Sequence, residues 1–218
     1  LWQQVRFRLG VARLTQARLV AENNADRAAA LVAADEWLLP LAGGLGSERL
    51  TSESQLALAE VTRCRGDHDR AAKLLATFEK SIAADTPLDL RERFVIERLR
   101  GMLAKQQPVE AAAWLLEQRR TGVLKMAVAA SAPTEAAELA YWQIAVELAV
   151  WQVAVERGDP KLAGELWDRL SAEVNRLEQA EGGYWTARAK LDWQRDVVET
   201  EGALRVAAHR LRRMALVT

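Results

Sequence analysis

The sequence predicts an all-α fold, and three observations carry that prediction. Apolar residues return at steps of three and four along most long segments. No segment shows the sustained apolar/polar alternation, bounded by hairpin turns, that marks a strand. A short hinge phrase recurs, in which a turn-forming residue and a helix-capping residue are followed at fixed offsets by alanine and leucine. Half of the 218 residues are hydrophobic and 28% are charged, a composition that buries a core rather than staying disordered.

The elements follow from the hinge phrase. RGDHDRAAKLLATF at 65–78 aligns without gaps on RGDPKLAGELWDRL at 157–170, sharing Arg-Gly-Asp, the alanine four residues after Asp and the leucine three beyond it. Asn24 with Ala28 and Leu31, and Pro108 with Ala112 and Leu115, keep the same offsets, and Gly202 with Ala207 begins a fifth copy. Glycine ends an incoming helix because it accepts the left-handed conformation, Asp or Asn caps the outgoing one, and proline is tolerated in its first turn. The outgoing helices are amphipathic: Ala71, Leu74, Leu75, Phe78 and Ile82 in one copy, Ala163, Leu166, Trp167, Leu170, Val174 and Leu177 in the other. With turn-formers at 41–46, 85–87, 131–133 and 181–183, this predicts helix pairs over 1–40, 47–84, 88–121, 133–179 and 183–216. No long linker separates them, so 1–218 reads as one continuous domain.

YWQIAVELAVWQ at 141–152 is the most apolar stretch. It has a charged counterpart, YWTARAKLDWQ at 184–194, and itself holds Glu147 in a span too short to cross a bilayer, so no membrane insertion is expected. Trp142 and Trp151 fall on opposite faces of their helix, which predicts a helix sandwiched on both sides. Trp185 and Trp193 fall closer together, which predicts one buried side. Trp114, Trp142, Trp167 and Trp185 occupy core-periodic positions and are expected to fill gaps between helices.

Gly66, Asp67, Ala71, Leu75 and Phe78, preceded by Leu58 and Ala59, resemble the tetratricopeptide repeat, whose two helices meet at a Gly-Asp turn followed by a small residue. The hinges at Asn24, Asp67, Pro108 and Asp159 lie 41 to 51 residues apart, longer than the family's repeat of about 34, and Trp151 stands where the family has a small residue. The chain therefore resembles a divergent, TPR-like array with lengthened repeats. The resemblance implies an α-α superhelix of about five antiparallel helix pairs, with the first helix of each pair on the concave side. It further implies that Glu53, Glu60, Arg63, Glu97, Asp192, Asp196 and Glu199 face that groove. The function so implied is a non-catalytic scaffold that binds a partner peptide or helix. Acidic residues at the C-terminal end predict a partner segment rich in Lys or Arg. The alternative is a module of a signalling or transcription-regulatory protein that senses a small effector, resembling regulators whose long TPR-like repeats surround one.

Little in the sequence points to chemistry. Cys64, Asp67, His68 and Asp69 have metal-ligand side chains, but the glycine between Cys64 and His68 breaks their helical register, and Asp67 reads as a helix cap. His209 stands in a basic terminal turn with Arg205, Arg210, Arg212 and Arg213, suited to the end of a helix dipole. Gly43, Gly44 and Gly46 lack the lysine and the preceding strand of a phosphate loop. No cofactor, metal or enzymatic activity is expected. Thirty basic and thirty acidic residues leave no net charge, so nucleic acid is not an expected partner. One cysteine suits a reducing compartment, and a cytoplasmic location is the expectation, with a lost signal peptide as the alternative. The Leu-Trp-Gln start predicts a piece excised from a longer polypeptide.

Overall fold

The computed structural model describes residues 1–83, 85–121, 133–180 and 183–215, of which 121, 133–136 and 201–215 are described by backbone alone. Among them are nine helices and no strand: α1 (Trp2–Arg18), α2 (Ala25–Ala42), α3 (Glu48–Cys64), α4 (His68–Ser81), α5 (Leu88–Ala104), α6 (Pro108–Thr121), α7 (Pro133–Glu156), α8 (Pro160–Gln179) and α9 (Tyr184–Ala215). The all-α expectation holds. The fifth helix pair does not: α9 runs unbroken through Gly202. A glycine inside a helix costs about 1 kcal/mol relative to alanine, which weakens a helix without ending it, and Ala203 behind it offers no cap.

Side-chain caps open α2, α3, α4 and α8. Asn24 accepts from the Asp26 amide, Ser47 from Leu50, Asp67 from Arg70 and Asp159 from Leu162, each satisfying a donor that the helix start leaves free. Three hinges share one construction. Gly66, Gln106 and Gly158 all have positive φ, at 83°, 57° and 69°. The amide of the next residue reaches back across the helix end in each case, Asp67 to Thr62 O, Gln107 to Met102 O and Asp159 to Ala154 O, at 3.0 to 3.2 Å. The third hinge is therefore centred on Gln106, one residue before the register that Pro108 suggests. Its counterpart of the buried Ala71 is Ala111, which is fully buried, while Ala112 is not.

The described residues form two compact units, one with α1–α5 and one with α7–α9, α6 being divided between them. Within each, first helices pack on first helices (α1 on α3, α3 on α5, α7 on α9). Second helices pack on the following first helix (α2 on α3, α4 on α5, α8 on α9). This is the neighbour-to-neighbour stacking of a helical repeat.

In the first unit Leu14, Leu31, Leu38, Leu58 and Val61 form the core between α1, α2 and α3. Gly10 marks the closest approach: a Cβ there would meet Leu38 Cγ at 2.7 Å. In the second unit Ile144, Leu148, Leu166, Leu170, Val174 and Leu177 are buried together. Beside them Trp151, Trp167 and Trp193, one from each helix, meet in tilted and edge-on contacts with ring centroids 5.7 and 4.8 Å apart. Trp167, at a core-periodic position, is nonetheless 37% exposed.

The shared hinge yields a stability prediction. Gln106 carries a side chain in a conformation that costs a non-glycine residue about 1 kcal/mol. Gln106→Gly should raise the free energy of unfolding in urea by about 1 kcal/mol, and Gly158→Ala should lower it by a similar amount.

Candidate functional site

The first helices of the first unit share a face, and its charged side chains form one ladder. Arg18 of α1 donates through Nε at 2.8 Å and Nη2 at 2.5 Å to the Glu60 carboxylate of α3. Arg63, one turn further along α3, donates through Nε to Glu97 of α5 at 3.1 Å, and Arg100 donates through Nη1 to the same carboxylate at 2.5 Å. Arg63 and Arg100 also each lie 3.8 Å from Glu60, which closes the network. A second rung lies nearer the helix starts: Arg49 donates to Glu53 at 2.8 Å and to Asp89 at 2.9 Å.

Burial in this ladder is unequal. The side chains of Glu60 and Glu97 are 5% and 7% exposed, whereas those of Arg18 and Arg49 are 51% and 59% exposed. Carboxylates form the floor and guanidiniums the rim. Burial and the neighbouring Glu97 push the Glu60 carboxyl above the usual glutamate range in spite of Arg18 and Arg100. Burial acts the same way on Glu97, but Arg63 and Arg100 outweigh it and hold its carboxyl below that range.

In the second unit Asp192 of α9 accepts from the Tyr141 hydroxyl of α7 at 2.8 Å and from Arg188 Nε at 2.8 Å, with Arg195 at 3.2 Å. Burial, then this hydrogen bond, pushes the Tyr141 phenol up to about 12, so it is a donor at every physiological pH. Asp196 is buried beside Arg195, and its burial pushes its carboxyl up. Glu199 is exposed. The structure thus gathers Glu60, Arg63 and Glu97 into one cluster, places Glu53 on the rung beside it, and puts Asp192, Asp196 and Glu199 along α9. Arg18 and Arg100 complete the cluster and carried no sequence signal, since helix periodicity does not say which residue of another helix lies opposite.

Two hollows adjoin these features. A cavity of about 150 Å³ lies between α3, α4 and α5, with Arg63, Glu97, Arg98 and Lys105 on its wall. A wider groove of about 700 Å³ runs between α8 and α9, lined by Trp167, Trp193, Val174, Val197 and Val198. No group of three or more His, Cys, Asp or Glu side chains is placed to hold a metal among the described residues. Asp67 is committed as a cap, and burial pushes the Cys64 thiol up, away from the reactive thiolate. His209 lies where only the backbone is described. No described helix is long and apolar enough to cross a membrane. Comparison with protein-family models, with curated proteins and with solved structures gives no match for this chain.

The two buried carboxylates should differ on substitution. Glu97→Gln leaves Arg63 and Arg100 in a covered site with only the Glu60 carboxylate, 3.8 Å away and already engaged by Arg18, and should cost about 3 kcal/mol. Glu60→Gln releases the half-exposed Arg18 to water and should cost about 1 kcal/mol. Because Glu97 titrates low in the fold, its contribution is complete above the ordinary glutamate value near 4.3 and is lost as pH falls through the lower folded value. Glu60 has the opposite sign, its folded form losing stability as pH rises from about 4.3 through its raised value. Urea melts between about pH 5 and pH 3 should therefore show a smaller acid loss for Glu97→Gln than for the wild type.

Proposed function

We propose that this protein is a non-catalytic, TPR-like interaction module whose first helices offer a partner-binding face. The observation that carries the proposal is the ladder: α1, α3 and α5 pack side by side and align Arg18, Glu60, Arg63, Glu97 and Arg100 in one polar strip. In repeat arrays, stacked neighbours generate extended surfaces that take up a peptide or a helix. The buried carboxylates act as orienting groups rather than as contacts. They fix the guanidiniums of the rim, whose remaining N–H groups suit backbone carbonyls and carboxylates of a bound segment. On this reading, the basic partner suggested by Asp192 and Asp196 has little free acid to meet, because Tyr141, Arg188 and Arg195 already engage both.

Photocrosslinking tests this reading. A benzoylphenylalanine at Glu53 or at Arg18 should give a discrete adduct with a cellular protein, while the same group at Lys80 on the second helix of the pair should not. Adducts from Lys80 alone, or none from the first-helix positions, would refute it.

A second reading has its own observation. The groove between α8 and α9, with two tryptophans in its wall, has the volume of a small-molecule site and suits an effector-sensing module. Planar aromatic compounds that bind there should raise the melting temperature by a few degrees at saturation, and Trp167→Ala should abolish the shift.

A further inference from the structure

The outer face of α1 is a largely open seam, touched at its start where the Trp2 ring meets Trp37 of α2 edge-on with centroids 6.5 Å apart. Trp2, Val5, Leu9, Ala12, Gln16 and Leu19 recur at alternating steps of three and four, the a and d positions of a heptad, and all six are exposed. At ~100° per residue they occupy an arc of about 100°. Phe7, Gly10, Leu14 and Ala17 lie on the opposite side, turned toward the core with α2 and α3. Trp2 is 62% and Leu19 83% exposed. Scattered apolar residues on a surface need no explanation, but a continuous stripe in heptad register does. The first helices α3 and α5 each carry the second helix of the preceding pair; α1 carries no such helix among the described contacts.

Charge says what the seam accepts. The helix has four arginines and no Asp or Glu. In the same heptad frame Arg8 flanks the stripe on one side, and Arg6 and Arg13 flank it on the other, the positions that choose a partner in helix pairing. Arg6 lies over the Trp37 ring at 5.6 Å, while Arg8 and Arg13 are exposed. A second copy of this chain does not fit: parallel pairing sets Arg8 against Arg13 of the other copy, and antiparallel pairing sets Arg6 against Arg13.

We infer that the outer face of α1 docks an amphipathic helix of a partner protein whose apolar seam is flanked by Glu or Asp. Gln16, in the middle of the stripe, fits a helix pair, in which one polar core residue fixes register, and offers nothing to a lipid surface. This face is distinct from the ladder: Arg18 lies about 100° beyond the edge of the arc.

The test uses the whole chain and a stapled, fluorescein-labelled helix of about 21 residues, three heptads, with Leu at a and d and Glu at the flanking positions. Its glutamates keep it from pairing with itself. Fluorescence anisotropy should give saturable 1:1 binding that weakens as salt rises, with a counterpart carrying Lys at the flanks at least tenfold weaker. Arg8→Glu/Arg13→Glu should reverse that preference, and Leu9→Glu/Ala12→Glu should abolish binding of both. All four side chains are exposed or at the exposed edge, and circular dichroism confirms that each variant remains folded. Equal binding of both peptides, binding that survives either double substitution, or no binding of the acidic peptide overturns the inference. So does binding to phosphatidylserine vesicles in place of the peptide, or self-association by light scattering that Leu9→Glu/Ala12→Glu removes.

Discussion

A carboxylate held between two first helices is the constraint on which both units depend. Glu60 ties α3 to α1, Glu97 ties α5 to α3, and Asp192 ties α9 to α7. Each acid is covered, and each takes one of its donors from the preceding first helix. A buried ion cannot be left unmatched without a cost of several kcal/mol, so a helix that arrives rotated or slipped by a turn loses far more than a few van der Waals contacts. The apolar core supplies most of the driving force, but leucine and alanine seams tolerate sliding in a way that a bidentate guanidinium does not.

That constraint also decides what the surface offers. Because the acids are used internally, the first-helix face shows the outside world the arms that hold them. The polarity of a face read from its residue list is thus inverted in space: a strip with Glu53, Glu60 and Glu97 presents mainly the heads of Arg18 and Arg49. The same accounting applies on α9, where Asp192 has three donors around it and, among the acids whose side chains are described, Glu199 remains in the open.

How much of this was legible in the sequence depends on whether the cause is local. Hinges that combine glycine with an Asp cap, at Gly66–Asp67 and Gly158–Asp159, announce themselves because both residues act within one turn of the chain. The Gln106 hinge does not, since a residue that seldom adopts positive φ is held there by the helices on either side, and the reading from Pro108 slips by one position. Gly202 misleads in the other direction: one glycine without a cap is a weak spot in α9, not a turn. The common face of Glu60, Arg63 and Glu97 follows from helical spacing and the repeat. Their burial, and the parts played by Arg18 and Arg100, arise from contacts across 34 to 42 residues of chain and are set by packing.

The two units carry different natural probes beside the Trp2–Trp37 pair of the first. The single thiol, Cys64, closes α3 in the first unit, partly covered and held in its protonated form, so its alkylation is slow while that end of α3 stays packed and reports the opening of that unit alone. The clustered indoles of Trp151, Trp167 and Trp193 lie in the second unit, close enough for their electronic transitions to couple, and their contribution to the near-ultraviolet dichroism reports the meeting of α7, α8 and α9. One unmodified chain therefore carries a chemical clock in one unit and a cluster of three indoles in the other.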